Sequence, residues 1–119
     1  MFSGKGEGTI LITLPWVTKQ IKGKLGFSPF PGTLNLKLTK NSMKAREVLD
    51  RSSGIEILPA LGYRRGRLFR AKLRKVDCAI VVPDVMNYPK DIIEVIASEN
   101  LRRRFQLTDG SKVEVQVLI

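Results

Sequence analysis

The sequence contains no histidine and a single cysteine in its 119 residues. The lack of histidine excludes a Ser-His-Asp triad, a Cys-His pair, an imidazole proton shuttle and a histidine-ligated zinc site. The one cysteine, Cys78, excludes a disulfide within the chain, and its place in the apolar run DCAIVVP favours a buried, unreactive thiol. Any chemistry must therefore use carboxylates, amides, hydroxyls, lysine, arginine or a bound metal.

The sequence also lacks long apolar runs and a balancing number of acidic residues. No stretch approaches the roughly 18 apolar residues of a membrane span, and the N-terminus lacks the charged-then-apolar order of a signal peptide, so a cytoplasmic protein without a membrane partner is expected. The 21 Lys and Arg residues against 11 Asp and Glu give a net charge of +10. This charge predicts an anionic partner, either nucleic acid or a phosphorylated small molecule, with a membrane surface third. Part of it can serve solubility alone.

The length corresponds to one domain, expected over residues 1–119 and expected to be monomeric. Hydrophobic periodicity predicts strands at 9–14, 33–38, 55–58, 77–82 and 113–117. It predicts helices at 15–25, 43–51, 90–97 and 99–105. The basic segment YRRGRLFRAKLRK is predicted to be a hairpin with Arg65 and Gly66 in its turn. Because strands outnumber helices and most of them alternate, we predict a mainly β protein, a small antiparallel barrel or sandwich with short peripheral helices.

The segment GKGEGT, residues 4–9, has three glycines at alternate positions. Glycines allow backbone N–H groups to approach an anion closely, as they do in loops that bind phosphate. The spacing fits neither the P-loop nor the dinucleotide fingerprint. A glycine-rich turn without a ligand explains this segment equally well.

The stretch PGTLNLKLTK places three leucines on one face of a predicted strand and polar residues on the other. Thr33 and Asn35, two residues apart, project from the same face, about 7 Å apart along the backbone. A hydroxyl and an amide oxygen in this arrangement can share a hard cation such as Mg²⁺. By spacing alone, a solvated polar face is the more common outcome.

Two further segments contain candidate polar groups. Glu94 follows Asp91 by three residues, so in a helix both carboxylates would share a face, and a carboxylate can orient an alcohol or accept its proton. In isolation, a surface acid on a helix is the more common case. In NLRRRF, residues 100–105, three consecutive arginines can bind phosphate, carboxylate or a base edge, or simply face solvent.

Four segments together carry a known pattern: SGKGEGT, LGFSPFPGTLNLKL, DCAIVVP and IIEVIASENLRRRFQLTDGSKVEV. In order and spacing they resemble the archaeal CTP-dependent riboflavin kinases, from about Ser3 to the C-terminus. The second segment is the most specific. The resemblance implies a six-stranded cradle-loop β-barrel that transfers the γ-phosphoryl group of CTP to the ribityl 5′-hydroxyl of riboflavin and gives FMN and CDP.

The resemblance also implies roles for individual residues. It implies that CTP is bound by Gly4, Lys5, Gly6, Glu7, Gly8 and Thr9, and by Glu99, Asn100, Leu101 and Arg102. It implies Mg²⁺ ligands at Thr33 and Asn35 and a flavin-binding carboxylate at Glu94, which we also consider as the group that orients the ribityl hydroxyl or accepts its proton. A histidine-free site suits this reaction, because phosphoryl transfer depends mainly on positioning and charge neutralisation.

The sequence departs from the family pattern at two places. The family usually has a strand before the glycine loop, whereas this chain begins at Met1, so the first strand is expected to be shortened, with either its barrel edge filled differently or the start site farther upstream. Where the family often carries a threonine that contacts the flavin phosphate, this sequence has Met86, with Asn87 and Tyr88 as the candidate replacements. Two other functions stay open: a non-catalytic nucleic-acid-binding barrel, favoured by the charge and the basic segment 64–75, and a regulatory barrel that binds its ligand without turnover.

Overall fold

The computed structural model describes residues 15–30, 33–52, 54–57, 66–83 and 90–118. The elements of these residues are helix α1 (Pro15–Leu25), strand β1 (Leu34–Lys37), a 3₁₀ helix (Lys40–Ser42), helix α2 (Met43–Arg51), strands β2 (Ile55–Ile57), β3 (Gly66–Leu73), β4 (Val76–Pro83) and β5 (Ile92–Ile96), helix α3 (Leu101–Arg104) and strand β6 (Val115–Val117). The strand expected at residues 9–14 lies outside the described residues.

The six strands form one antiparallel sheet in the order β1-β5-β4-β3-β2, which curls into a half-barrel. Strand β3 has a divided outer edge. Its first residues pair with β2, and its last three residues pair with β6, which lies off the main order of the sheet. Strand β5 is an inner strand of the sheet, since it pairs with β1 on one side and β4 on the other.

Each face of the sheet has its own apolar core. The larger core combines the leucines of β1 with residues of β3, β4 and β5, and α2 and α3 cover it with Leu49 and Leu101. The smaller core lies on the opposite face, where Ile21 of α1 packs against Leu68, Ala79, Val81 and Ile96. Because both faces of β5 are covered, its one polar residue, Glu94, is enclosed by protein.

Several sequence predictions are confirmed. The described residues form a mainly β fold with six strands and short helices. Helix α1 spans the predicted residues and ends before Gly26, whose φ of 85° suits glycine. Helix α2 also has the predicted bounds, and β1 begins within the expected run. The cradle-loop topology of the barrel stays a prediction. None of the described helices is both long enough and apolar enough to cross a membrane.

The predicted helix at residues 90–97 is wrong, because residues 92–96 form strand β5. Four of its five residues are Ile or Val, whose branched side chains favour strands. Both of its faces are buried, so apolar residues occupy both of them and the strict polar alternation of a half-buried strand is missing. The shared helical face of Asp91 and Glu94 is therefore also wrong. Asp91 precedes the strand, and Glu94 points from its centre.

The predicted hairpin turn at Gly66 is wrong as well. Gly66 is the first residue of β3 and is paired with both Ile57 and Pro83, while Arg65 lies outside the described residues. The hairpin turn joins β3 to β4 at Arg74 and Lys75 instead. Glycine is common in turns, but here it is the first residue of β3. The turn at the other end of this strand consists of two charged residues.

Candidate functional site

Thr33, Asn35 and Glu94 lie together because β1 and β5 are neighbours. Asn35 is directly opposite Glu94 in the antiparallel register, and Thr33 immediately precedes β1 on the same side as Asn35. Paired residues of neighbouring strands project from the same face of the sheet. The pairing therefore joins two residues that are far apart in sequence.

These polar residues are enclosed rather than solvated. Asn35 is 4% exposed and Glu94 is 1% exposed, while Thr33 is half-buried. The face that they share also carries Val81, which is paired with Glu94 on the other side of β5. The alternative of a solvated polar face thus does not hold at Asn35. It holds for Lys37, which is exposed at the end of β1.

Three oxygen atoms converge at this place. The Thr33 Oγ1 atom lies 2.8 Å from Asn35 Oδ1 and 3.2 Å from Glu94 Oε1. A hydroxyl has one hydrogen, so Thr33 donates to only one of these two acceptors at a time. We call Thr33, Asn35 and Glu94 the oxygen cluster.

The oxygen cluster has the donor set of a hard-cation site. Hydroxyl, amide and carboxylate oxygens are the protein ligands that Mg²⁺ and Ca²⁺ prefer, and Mg²⁺ in particular uses few protein ligands beside water and substrate phosphates. The residues therefore fit the Mg²⁺ that the resemblance implies.

The segment 99–102 begins three residues after the end of β5, and each of its residues has a structural contact. Asn100 caps α3, since its Oδ1 accepts a hydrogen bond from the Arg103 N–H at 3.1 Å. Leu101 is buried in the larger core. Arg102 Nη2 lies 2.5 Å from Asp109 Oδ1, and the Glu99 carboxylate pairs with Arg104 at 2.9 Å. These contacts fix the conformation of the segment beside β5 and do not assign it a ligand.

Other predicted site residues lie outside the described residues. They are the glycine-rich segment Gly4, Lys5, Gly6, Glu7, Gly8 and Thr9, together with Met86, Asn87 and Tyr88. Sequence reasoning selected the members of the oxygen cluster but missed the contact among them. The signal was present in the β-branched run IIEVI, which is typical of a strand and would have allowed β5 to pair with β1.

Cys78 is not part of this site. Its side chain is 3% exposed, within the larger core, as the sequence predicted. Burial, with a smaller contribution from the Asp77 carboxylate, raises the pKa of the Cys78 thiol to about 12. The thiol is therefore protonated at neutral pH and is a poor nucleophile.

Comparison with known proteins identifies the family. The family model CTP-dep_RFKase, described as a domain of unknown function (DUF120), matches residues 1–117. The chain belongs to this family. The family match confirms the resemblance seen in the sequence, and it covers both strands of the oxygen cluster.

Curated relatives of the chain are archaeal proteins named riboflavin kinase. The relative from Pyrobaculum islandicum is 41% identical over 122 residues, which cover 98% of this chain and 57% of the relative. The relative from Archaeoglobus fulgidus is 39% identical over 123 residues, covering 100% and 53%. The relative from Methanosarcina mazei is 37% identical over 121 residues, covering 98% and 54%. The chain thus spans little more than half the length of these relatives.

Proposed function

We propose that this chain carries a CTP-dependent riboflavin kinase activity, in which the γ-phosphoryl group of CTP passes to the ribityl 5′-hydroxyl of riboflavin to give FMN and CDP. The observation that carries the proposal is the oxygen cluster, a buried hard-cation donor set in a chain of the CTP-dep_RFKase family. The names of the relatives support riboflavin as the acceptor, and the name of the family supports CTP as the donor.

Thr33 and Asn35 would hold the Mg²⁺ of the reaction. When bound, this ion neutralises charge on the CTP phosphates. The protein holds the two oxygens in place before the ion binds. Asn35 is fixed by its strand and by burial, and the Thr33 hydroxyl is held between two acceptors. This pre-organisation lowers the cost of ordering the site when substrates arrive.

Glu94 would act on the acceptor. Its carboxylate contacts Thr33 through Oε1. We infer that its second oxygen accepts a hydrogen bond from the ribityl 5′-hydroxyl, orients that oxygen toward the γ-phosphorus and can take its proton as the new P–O bond forms. Atoms balance in this step: the hydroxyl oxygen gains the phosphoryl group, CDP leaves, and the proton passes to the carboxylate.

The CTP-binding groups would come from the glycine-rich segment 4–9 and from residues 99–102. Backbone N–H groups of glycines can contact phosphate oxygens closely. Asn100 and Leu101 are rigidly placed by the helix cap and by the core, which suits a segment that contacts a base through its backbone. Catalysis by such a site is mostly positioning, which requires no histidine.

A panel of nucleotides tests this function. Riboflavin is incubated with the chain, Mg²⁺ and one of CTP, ATP, GTP or UTP, and FMN is separated by chromatography. We expect FMN with CTP only, and none when EDTA removes the metal. FMN formed with ATP instead contradicts the proposed donor. Riboflavin binding without FMN in any lane indicates a regulatory barrel, and absence of flavin binding contradicts the proposal altogether.

The first testable prediction concerns the metal ligands. The double variant Thr33→Val, Asn35→Leu replaces both oxygens by apolar groups of similar size, so the fold is expected to persist while FMN formation falls by at least about 10²-fold. Thr33→Ser is the matched control, because it keeps the hydroxyl and should retain most of the activity. Binding of Mn²⁺, followed by electron paramagnetic resonance, gives a readout that is independent of turnover. A fully active double variant would overturn the assignment.

A further inference from the structure

The turn between β3 and β4 carries an unfavourable backbone conformation. Arg74 and Lys75 both have positive φ values, 48° and 70°. Two-residue hairpin loops of this kind favour Asn-Gly or Gly-Gly, because a side chain other than Gly, Asn or Asp costs roughly 1 kcal/mol or more in the left-handed region. The turn thus has two long basic side chains where stability alone would favour other residues. Local strain of this kind is characteristic of functional positions.

The two turn residues line an open groove with two further lysines. The groove has a volume of about 350 Å³ and is lined by Lys72, Arg74, Lys75, Lys112, Val113, Glu114 and Gln116. We call it the basic groove. Its four cations are all exposed, and among the described residues Glu114 is the one acidic side chain that lines it. Lys72 also lies 3.6 Å from Asp77, an exposed contact that solvent weakens.

An aromatic ring, that of Phe105, lies next to the basic groove. The guanidinium of Arg74 lies 5.2 Å from the centre of the Phe105 ring, and that of Arg104 lies 5.6 Å from it. Two guanidinium groups thus flank one aromatic ring, and that of Arg104 also pairs with the Glu99 carboxylate. Nucleobases stack on surfaces of this kind in proteins that bind single strands.

The basic groove is separate from the oxygen cluster. The hairpin turn adjoins Val76 at one end of β4, whereas Glu94 pairs with Val81 farther along the same strand. Five residues of a strand span about 17 Å. None of the groove residues belongs to the proposed flavin or CTP site, so the proposed kinase reaction does not account for them.

We propose that the basic groove binds single-stranded nucleic acid. The four cations contact the phosphodiester backbone, and the Arg74–Phe105–Arg104 surface stacks with a base. The combination of a groove with a stacking surface favours a nucleic acid over a membrane, which would require only a broad layer of charge. The net charge of +10 adds long-range attraction for any polyanion. This inference goes beyond the proposed kinase function and does not rest on it.

The test uses a variant that separates binding from folding. Arg74→Asn with Lys75→Gly introduces the residue pair that this hairpin favours, so we expect the melting temperature to rise while two cations are lost from the groove. Binding of a fluorescein-labelled 20-nucleotide oligo(U) is measured by anisotropy at several NaCl concentrations. We expect the wild type to bind with a strong salt dependence. The variant should bind at least tenfold more weakly, and its salt slope should be lower by about 1.4.

A charge-matched control decides whether the groove or the net charge binds. Lys19→Gln with Lys22→Gln removes two exposed cations from α1 and should weaken oligo(U) binding less than threefold. The proposal is overturned if the two double variants lose affinity equally, or if the wild type does not bind oligo(U) at 50 mM NaCl. It is equally overturned if the wild type binds vesicles with 30% phosphatidylserine but not oligo(U).

Discussion

Glu94 is a carboxylate that is almost fully enclosed and that accepts a hydrogen bond from the Thr33 hydroxyl. Glu94→Gln keeps the size of the side chain and one acceptor oxygen but removes its negative charge. If the carboxylate orients or deprotonates the ribityl hydroxyl, FMN formation should fall by about 10²-fold or more. Steady-state kinetics with CTP and riboflavin measure this fall in kcat, together with any rise in the KM for riboflavin.

A surface acid gives the control for Glu94. Glu47 is exposed on α2, where it pairs with Arg51 at 3.6 Å, and Glu47→Gln removes the same charge without touching the site. This variant should keep wild-type kinetics. If Glu94→Gln shows unchanged turnover and an unchanged KM for riboflavin, neither role of Glu94 stands.

The raised pKa of Cys78 predicts a loss of stability at high pH. The thiol keeps its proton up to about pH 12 in the folded protein, while in the unfolded chain it ionises near 9.0. As the pH rises, the thiol therefore ionises in the unfolded state first, and this favours unfolding. The stability that depends on the protonated thiol is full below pH 9 and is lost between pH 9 and 12. Urea unfolding of wild type and Cys78→Ala between pH 8 and 10.5 isolates this contribution. We expect the wild type to lose stability relative to the variant as the pH rises, and parallel curves would contradict the assignment.

At the scale of elements, Gly54 determines the backbone conformation with which the chain enters β2. It has a φ of 61°, and a Cβ atom there would lie 2.8 Å from the Phe69 ring and 2.9 Å from the Leu68 carbonyl oxygen. Gly54→Ala should therefore destabilise the protein by about 2 kcal/mol or more, from strain and overlap together. Thermal unfolding measures the change.

Gly26 is the matched control for Gly54. It also has a positive φ, 85°, but a Cβ atom added there would meet no described atom within 4 Å. Gly26→Ala should cost only the backbone strain, about 1 kcal/mol. Equal losses in the two variants would show that the contact with β3 contributes nothing.

The elements also show where sequence reasoning succeeds. The bounds of α1 and α2 were predictable because each has a helical apolar period and a clear stop. Strand β5 was not, because burial on both faces removes the alternation that distinguishes a strand from a helix. The hairpin turn was missed because its two residues lack the usual turn composition. Thr33 and Asn35 were selected by their strand spacing and Glu94 by a helical spacing that is wrong, and the family pattern then assigned their roles. Their contact depends on the pairing of β1 with β5.

At the scale of the whole molecule, the net charge should make stability depend on salt. A charge of +10 on a chain of this size opposes the compact state by self-repulsion, and dissolved ions screen that repulsion. We expect the melting temperature to rise by a few degrees between 20 and 300 mM NaCl. The double variant Arg74→Asn, Lys75→Gly has two fewer positive charges and should show a smaller rise. A melting temperature that falls with salt would contradict this explanation.

The divided outer edge of β3 has a consequence for the order of folding. The β3–β4 hairpin closes over a two-residue turn, whereas β6 reaches the same strand only from more than about 40 residues farther along the chain. Contacts that close long loops cost more entropy and form later. The hairpin that carries the basic groove is thus a suitable nucleus for the sheet. We expect β6, which pairs with the last three residues of β3, to join the sheet late in folding.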